Sequence, residues 1–330
     1  MENGAPHRAD GRARPHEIRL ITRLNPALTM TRRQFLQRSS CSFATATLSL
    51  TALSTFAQDA AKPAKRPLKK AIMWGTIGLK GSVLEKMKAV KDAGFDGVEM
   101  MGHMDVDEVL KARGEVGLVI PSVCCSLHWS KPVTDPNPKV REEGLEGLKQ
   151  DLREAKRYGA SSVLFVPGVV KKEVSYAEAY ERSHAEISKA VPLAEELGVK
   201  IAIENVWNQF LLSPLEAARF VDEFKSPAVG WHFDCGNIVN YGWPEQWIRI
   251  LGKRIQKLHI KEFSRQKRDK EGLWKGFDVP LLEGDDNWPA IMQALDEIGY
   301  TGWCITEQGG GSSPEGLRGL VQRLDKIIAS

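Results

Sequence analysis

The chain is predicted to fold as an α/β protein, a single (β/α)8 barrel of the TIM type, and three observations carry that expectation. From about residue 71 a short apolar, β-rich run is followed by a helical pattern eight times over, and eight strands close such a barrel. Gly94, Gly159, Gly198 and Gly299 each end a helical pattern just before the next strand, where a left-handed C-terminal cap belongs. About 260 residues remain after the leader is set aside, the usual size of one such domain.

The strand runs are, in order, AIMWGTI from Ala71, FDGVEMMG from Phe95, IPSVCCS from Ile120, SSVLFVP from Ser161, KIAIEN from Lys200, VGWHFDC from Val229, IQKLHIKEF from Ile255 and GWCITE from Gly302. Between them apolar residues recur at helical spacing, as at Val83, Met87 and Val90, or Leu145, Leu148, Leu152 and Ala155. An open doubly wound sheet also alternates strands with helices. It would bring a glycine-rich phosphate loop after its first strand, and WGTIGLKGS has the wrong glycine spacing. The barrel therefore spans residues 71–330 with no second domain.

The segment before it reads differently. TRRQFLQ, residues 31–37, places paired arginines ahead of a weakly apolar stretch from Ser39 to Ala57, the pattern of a twin-arginine export signal over residues 30–57. Cleavage is expected after Ala57 or Ala60, and residues 58–70 form a basic, proline-bearing linker. Because such signals begin near the amino terminus, residues 1–29 read as an over-called start or a disordered extension, with Met30 the preferred start. The expected location is the periplasm or beyond, with the twin-arginine translocase as a partner during export. The apolar stretch is too interrupted by hydroxyls for a membrane span, so no stable membrane association is expected.

Net charge is +4 for the whole chain, but residues 71–330 hold 33 basic and 38 acidic residues. The barrel is thus acidic, which argues against a nucleic-acid footprint. Five cysteines, Cys41, Cys124, Cys125, Cys235 and Cys304, lack disulfide spacing; beyond Cys41 in the signal, they read as small buried hydrophobes.

Chemistry concentrates in the second half. Four successive strand runs each end on a potential metal ligand: Glu204, Asp234, His259 and Glu307. In a parallel barrel all four reach one rim. Three carboxylates and an imidazole suit one oxygen-preferring divalent ion, here Mn(II), Mg(II) or Co(II), with Zn(II) also compatible. Such an ion polarises a hydroxy-ketone and acidifies the neighbouring C–H. Around this set, His232 shares the strand face of Asp234, either beneath the metal or as a core histidine. Glu99 and His103 end the second strand, and His128 with Trp129 follows the third. Trp207, Asn205 and Asn208 follow Glu204 and offer an aromatic face and amides to a polyol.

On these four residues, and on the words ENVWN, HIKE and LLEGDDNW, the chain resembles the xylose-isomerase-like barrels, which include sugar and sugar-phosphate epimerases, isomerases and hydroxypyruvate isomerase. The resemblance runs from about Met73 to the end. It implies that Glu204, Asp234, His259 and Glu307 hold one metal ion. It also implies that Glu204 and Glu307 face each other across the substrate as acid and base, through a metal-stabilised enediolate. Arg265 falls where the epimerases place a substrate-binding arginine. Asn237 and Phe210 stand where the tagatose type carries a His and a Glu that contact the sugar, a departure that bears on substrate identity. The long segment from Ser264 to Asn287, basic in its first half, is expected to be a lid or a substrate-selecting loop. By analogy with relatives, a homo-oligomer is an expectation.

The function read from the sequence is therefore a metal-dependent sugar isomerase or epimerase acting on a small carbohydrate, a ketose or hydroxy-carbonyl compound. Export favours an unphosphorylated substrate. Two alternatives stand beside it: a lyase or hydratase acting on a 3-keto-glycoside through the same site, and a metal-containing sugar-binding protein without turnover.

Overall fold

The computed structural model describes residues 66–330. The start, export-signal and Cys41 expectations, and the linker up to residue 65, lie outside the described residues. Eight parallel strands close into one barrel in the order β1 to β8, so the expected (β/α)8 architecture is what the chain forms. The strands are β1 Lys69–Met73, β2 Gly97–Met101, β3 Val123–Cys124, β4 Ser162–Phe165, β5 Lys200–Glu204, β6 Val229–Asp234, β7 Ile255–Ile260 and β8 Trp303–Thr306. β8 closes on β1, with Ile305 opposite Ala71.

Helices cover the outside. They are α1 Val83–Ala93, α2 Val106–Val116, α3 Pro138–Tyr158, α4 Tyr176–Ser188, α5 Val191–Leu197, α6 Pro214–Glu223, α7 Gly236–Val239, α8 Pro244–Leu251, α9 Arg265–Glu271, α10 Trp288–Glu297 and α11 Pro314–Ala329. α1 starts on a Ser82–Glu85 capping box and buries Val83, Met87, Val90 and Ala93. The helix stop at Gly159 has φ 71° after α3, a left-handed conformation that glycine adopts at no steric cost. Between β4 and β5 the chain makes two helices rather than one. Pro192 sits in the first turn of α5, where its missing N–H leaves no bond unmade.

Strand limits differ from the sequence reading in two places. β1 takes Lys69 and Lys70 from the expected linker: Lys70 Nζ pairs with Asp325 at 2.8 Å and Lys69 lies over the Trp303 ring. The Trp74–Thr76 part of the first run turns into a 3-10 helix. β3 is only two residues long, because Pro121 just before it has no N–H for a ladder.

Alternation along the strands sets two environments. Ile201 and Ile203, Trp231 and Phe233, and Leu258 and Ile260 face the helices and are buried. Their neighbours Ala202 and Glu204, His232 and Asp234, and Lys257 and His259 face the barrel axis. Register places Glu204 opposite His232, and Asp234 opposite His259. The axis is polar lower down as well, where Lys257 Nζ donates to Ser161 Oγ at 2.7 Å.

The turn after β6 sits tightly against β7. A Cβ on Gly236 would meet Lys261 O at 2.7 Å and its carbonyl carbon at 2.9 Å. Gly236→Ala is therefore expected to cost about 1–3 kcal/mol of stability by forcing backbone from backbone, read as a lower denaturant midpoint.

Candidate metal centre

Glu204 and Asp234 close β5 and β6, His259 is the penultimate residue of β7, and Glu307 is the first residue beyond β8. Each offers one ligand atom, and these atoms lie within 4.8 Å of one another. The imidazole is at the centre. His259 Nδ1 is 2.9 Å from Glu204 Oε1, 3.2 Å from Glu307 Oε2 and 4.0 Å from Asp234 Oδ2. Its Nε2 is 2.8 Å from Glu99 Oε2, and Glu99 Oε1 accepts from Ser122 Oγ at 2.5 Å. His232 lies against His259 with ring centroids 4.2 Å apart, and neither of its ring nitrogens has a hydrogen-bond partner. Glu99, His232 and His259 form a second group with ligand atoms close enough for one ion.

Charge in this cluster is unbalanced. Burial pushes Asp234 up to about 8, with Glu307 and Glu204 adding to the rise and Lys261 opposing it. Burial likewise raises Glu204, against the hydrogen bond from His259. Burial works against charge on Glu307 too, but Lys261 and His259 hold its carboxyl well below the usual range. Desolvation also opposes a charged His259, yet Glu99, Glu307 and Glu204 together keep its pKa well above that of free imidazole. Lys261 Nζ sits 2.9 Å from Glu307 Oε2 and 3.6 Å from Asp234 Oδ2. Even so, Asp234 Oδ2 is buried with no hydrogen-bond donor, a state that costs about 1–3 kcal/mol. The three carboxylates have one imidazole and one ammonium between them. An oxygen-preferring or borderline dication fits this donor set in charge and in ligand type.

Asp234 is held from behind. Asn205 Oδ1 accepts from Trp231 Nε1 and from Asp234 N, and Asn205 Nδ2 donates to Asp234 O. Asn237 N donates to Asp234 Oδ1 at 2.7 Å. The turn into α7 thus aims one carboxylate oxygen at backbone and leaves the other for the cluster.

A cavity of about 350 Å³ opens above the cluster, with Glu204, His259, Lys261 and Glu307 among its lining and His128, Trp129, Trp207, Asn237, Trp274 and Phe277 around them. His128 is buried, which lowers its pKa to about 4. Its Nδ1 accepts from Val166 N, so Nε2 carries the proton as a neutral donor. Trp207 packs against Trp274 and Phe277 at 4.8 and 4.9 Å between centroids, and its Nε1 donates to Asn237 O. Cys124 also lines the cavity, but burial followed by the nearby glutamates raises its thiol well above the ordinary range. Cys124, Cys125, Cys235 and Cys304 are all free and buried.

Two of the residues expected to touch substrate are elsewhere. Arg265 does not line the cavity: its Nε donates to Val239 O at 2.8 Å and Nη2 to Gly242 O at 3.0 Å, and its guanidinium lies over Trp243. With Arg268, which donates to Asn240, it ties α9 to the segment after α7. The α9 backbone, N-capped by Ser264, turns the arginine outward. Asn208 is buried behind the wall and donates to Gly168 O. The Ser264–Asn287 segment is folded rather than an open loop: α9 leads into a 3-10 turn, Leu273–Phe277, that brings Trp274 and Phe277 to the cavity.

Three site residues escape the sequence reading in role. Lys261 could have been found, since it lies two residues after His259 and so shares its strand face. Glu262 points the other way and accepts from Leu282 N, Asp286 N and Trp288 Nε1, which fixes the LLEGDDNW stretch. Glu99 comes from β2, far away in sequence, and only closure of the barrel brings it to His259.

The model of the xylose isomerase-like TIM barrel family matches residues 87–327. The L-ribulose-5-phosphate 3-epimerase of Shigella flexneri serotype 5b is 24% identical over 260 residues, covering 74% of this chain and 89% of that protein. A solved D-tagatose 3-epimerase-like protein superimposes with a TM-score of 0.68 at 20% identity, over 79% of this chain and 97% of that one. A solved 3-keto-D-glucoside 4-epimerase from E. coli gives 0.65 at 17% identity, over 79% and 98%.

Proposed function

Because this chain belongs to the xylose isomerase-like TIM barrel family, we propose that it is a divalent-metal-dependent sugar epimerase acting on a carbonyl-bearing carbohydrate. The observation that carries the reading is the convergence of Glu204, Asp234, His259 and Glu307 at a cavity of sugar size. These four residues would hold the ion, which when bound polarises a carbonyl and makes the adjoining C–H acidic.

The rest is the work of the chain. Glu307, kept anionic by Lys261 Nζ at 2.9 Å from its Oε2, takes the carbon-bound proton. Glu204, whose burial favours its protonated form, returns a proton from the other side of the site. His259 would donate from Nε2 to Glu99, which leaves the Nδ1 lone pair turned to the cluster. His128 Nε2–H is a neutral donor to a sugar oxygen. Trp207, Trp274 and Phe277 cover the site and exclude water. Epimerisation is preferred to elimination because the relatives named above are epimerases.

Metal-loaded protein incubated with ketoses in D2O should place deuterium at the carbon that inverts. Elemental analysis should find close to one equivalent of Mn, Mg, Co or Zn. Retention of the protium by every ketose and keto-sugar tried would end the proposal. Glu99→Gln is expected to weaken metal affinity by about 10–100-fold, measured by calorimetric titration.

We also propose that the enzyme works outside the cytoplasmic membrane, on the strength of the twin-arginine pattern. Fractionation of cells with and without Arg32 and Arg33 tests this directly.

A further inference from the structure

Four aromatic side chains line the cavity, and two of them are more than half exposed: Trp129 at 52% and Trp274 at 67%. Leaving indole faces in water forgoes the stabilisation of burying them, and both line the cavity above the cluster. Trp274 rests on Trp207 at 4.8 Å and tilts by 44° to it. Trp129 is set edge-on to His128 with centroids 5.6 Å apart. The lid that carries Trp274 is fastened through Arg265 and Arg268 to backbone carbonyls, so its position is built rather than incidental.

Charge excludes one class of occupant. Among the residues lining the cavity the cationic groups are Lys261 and His259, and both are engaged by carboxylates: Lys261 by Glu307 and Asp234, His259 by Glu99, Glu204 and Glu307. A phosphate at the mouth would find no arginine or free lysine in the lining, and it would face the carboxylates of the floor. Phosphate sites are normally built from such groups or from converging backbone N–H donors. None of the basic residues between Ser264 and Asn287 lines the cavity, and most are held elsewhere: Lys267 and Lys275 by Asp278, Arg265 by Val239 and Gly242, and Arg268 by Asn240 and Asp269.

From these two facts we propose that the substrate is an unphosphorylated carbonyl sugar bearing a second, uncharged ring, which stacks on Trp129 and Trp274 while the first ring occupies the cavity. This deepens the epimerase reading and rests on it for the identity of the reacting sugar. The second ring has two chemical sources. It is either the aglycone of a glycoside whose carbonyl sits on a ring carbon, or a sugar attached to a ketose through a hydroxyl away from its carbonyl.

The test titrates metal-loaded protein with two matched pairs. One is the phenyl against the methyl 3-keto-β-D-glucopyranoside; the other is 6-O-glucosyl-fructose against D-fructose. The ring-bearing member of one pair should bind at least about tenfold more tightly, as stacking on two indoles would give. Which pair responds identifies the source. In Trp129→Ala and Trp274→Ala that ratio should fall towards one. Both side chains are largely exposed, so these changes spare the core. The proposal is overturned if neither pair discriminates, if the preference survives both substitutions, or if L-ribulose 5-phosphate binds more tightly than every ring-bearing sugar. Deuterium exchange, measured on the same samples, separates the two claims. A Trp-dependent ring preference without exchange would retain the subsite and reject the epimerase.

Discussion

Glu307→Gln is expected to lower kcat/KM by about 10²–10⁴-fold, the usual contribution of a positioned acid or base, with sugar binding changed far less. The amide keeps the shape of the side chain and an oxygen near His259 Nδ1, but it cannot accept a proton from carbon. Solvent deuterium should disappear from the product in proportion to turnover. Glu204→Gln should do the same from the opposite side, and the two losses should not add, since either residue alone interrupts the exchange. The same variant separates the enzyme from a sugar-binding protein without turnover. In the latter case ligand affinity would be kept and there would be no exchange to lose. Parent-level exchange in Glu307→Gln with metal still bound would remove Glu307 from the chemistry.

Asp234→Asn should abolish the rise in melting temperature that metal gives, and at the same time raise the stability of chelator-treated protein at neutral pH. The sign follows from the carboxyl itself. Its pKa in the folded chain is raised to about 8, mainly by burial, while in the unfolded chain it returns to about 3.9. Between those values the folded state holds a proton that the unfolded state has released, so the contribution is full below about pH 4 and is lost as pH rises towards 8. Asparagine has no such dependence. Melting temperature of metal-free protein plotted against pH from 4 to 8 should therefore fall more steeply for the parent than for Asp234→Asn. Added metal should stabilise only the parent, by binding the native state alone. Equal slopes would mean that Asp234 does not hold its proton in the metal-free fold through this range.

Residues that share one strand with a recognisable ligand were legible from the sequence, because a strand has a period of two and a parallel barrel sends every strand end to one rim. That is why Glu204, Asp234, His259 and Glu307 could be named together before any coordinates, and why Trp207, His128 and Asn237 fall at the cavity. Arg265 shows where the same reasoning stops. Spacing from His259 puts it beyond the strand, and its direction is then set by α9 and by the carbonyls of Val239 and Gly242.

The sequence by itself determined the barrel, the polarity of its axis and the set of acids and imidazole that meet at its rim. Periodicity is a local property, and eight strand–helix repeats without a phosphate-loop glycine pattern after the first strand point to a closed barrel. Only the tertiary structure decided that Glu99 of β2 would grip His259, that Lys261 would neutralise Glu307, and that the Leu273–Phe277 turn would bring Trp274 to the cavity with most of its ring open to solvent. Those are contacts between residues up to 160 positions apart. They exist because strand register and helix docking fix distances that no pattern along the chain encodes.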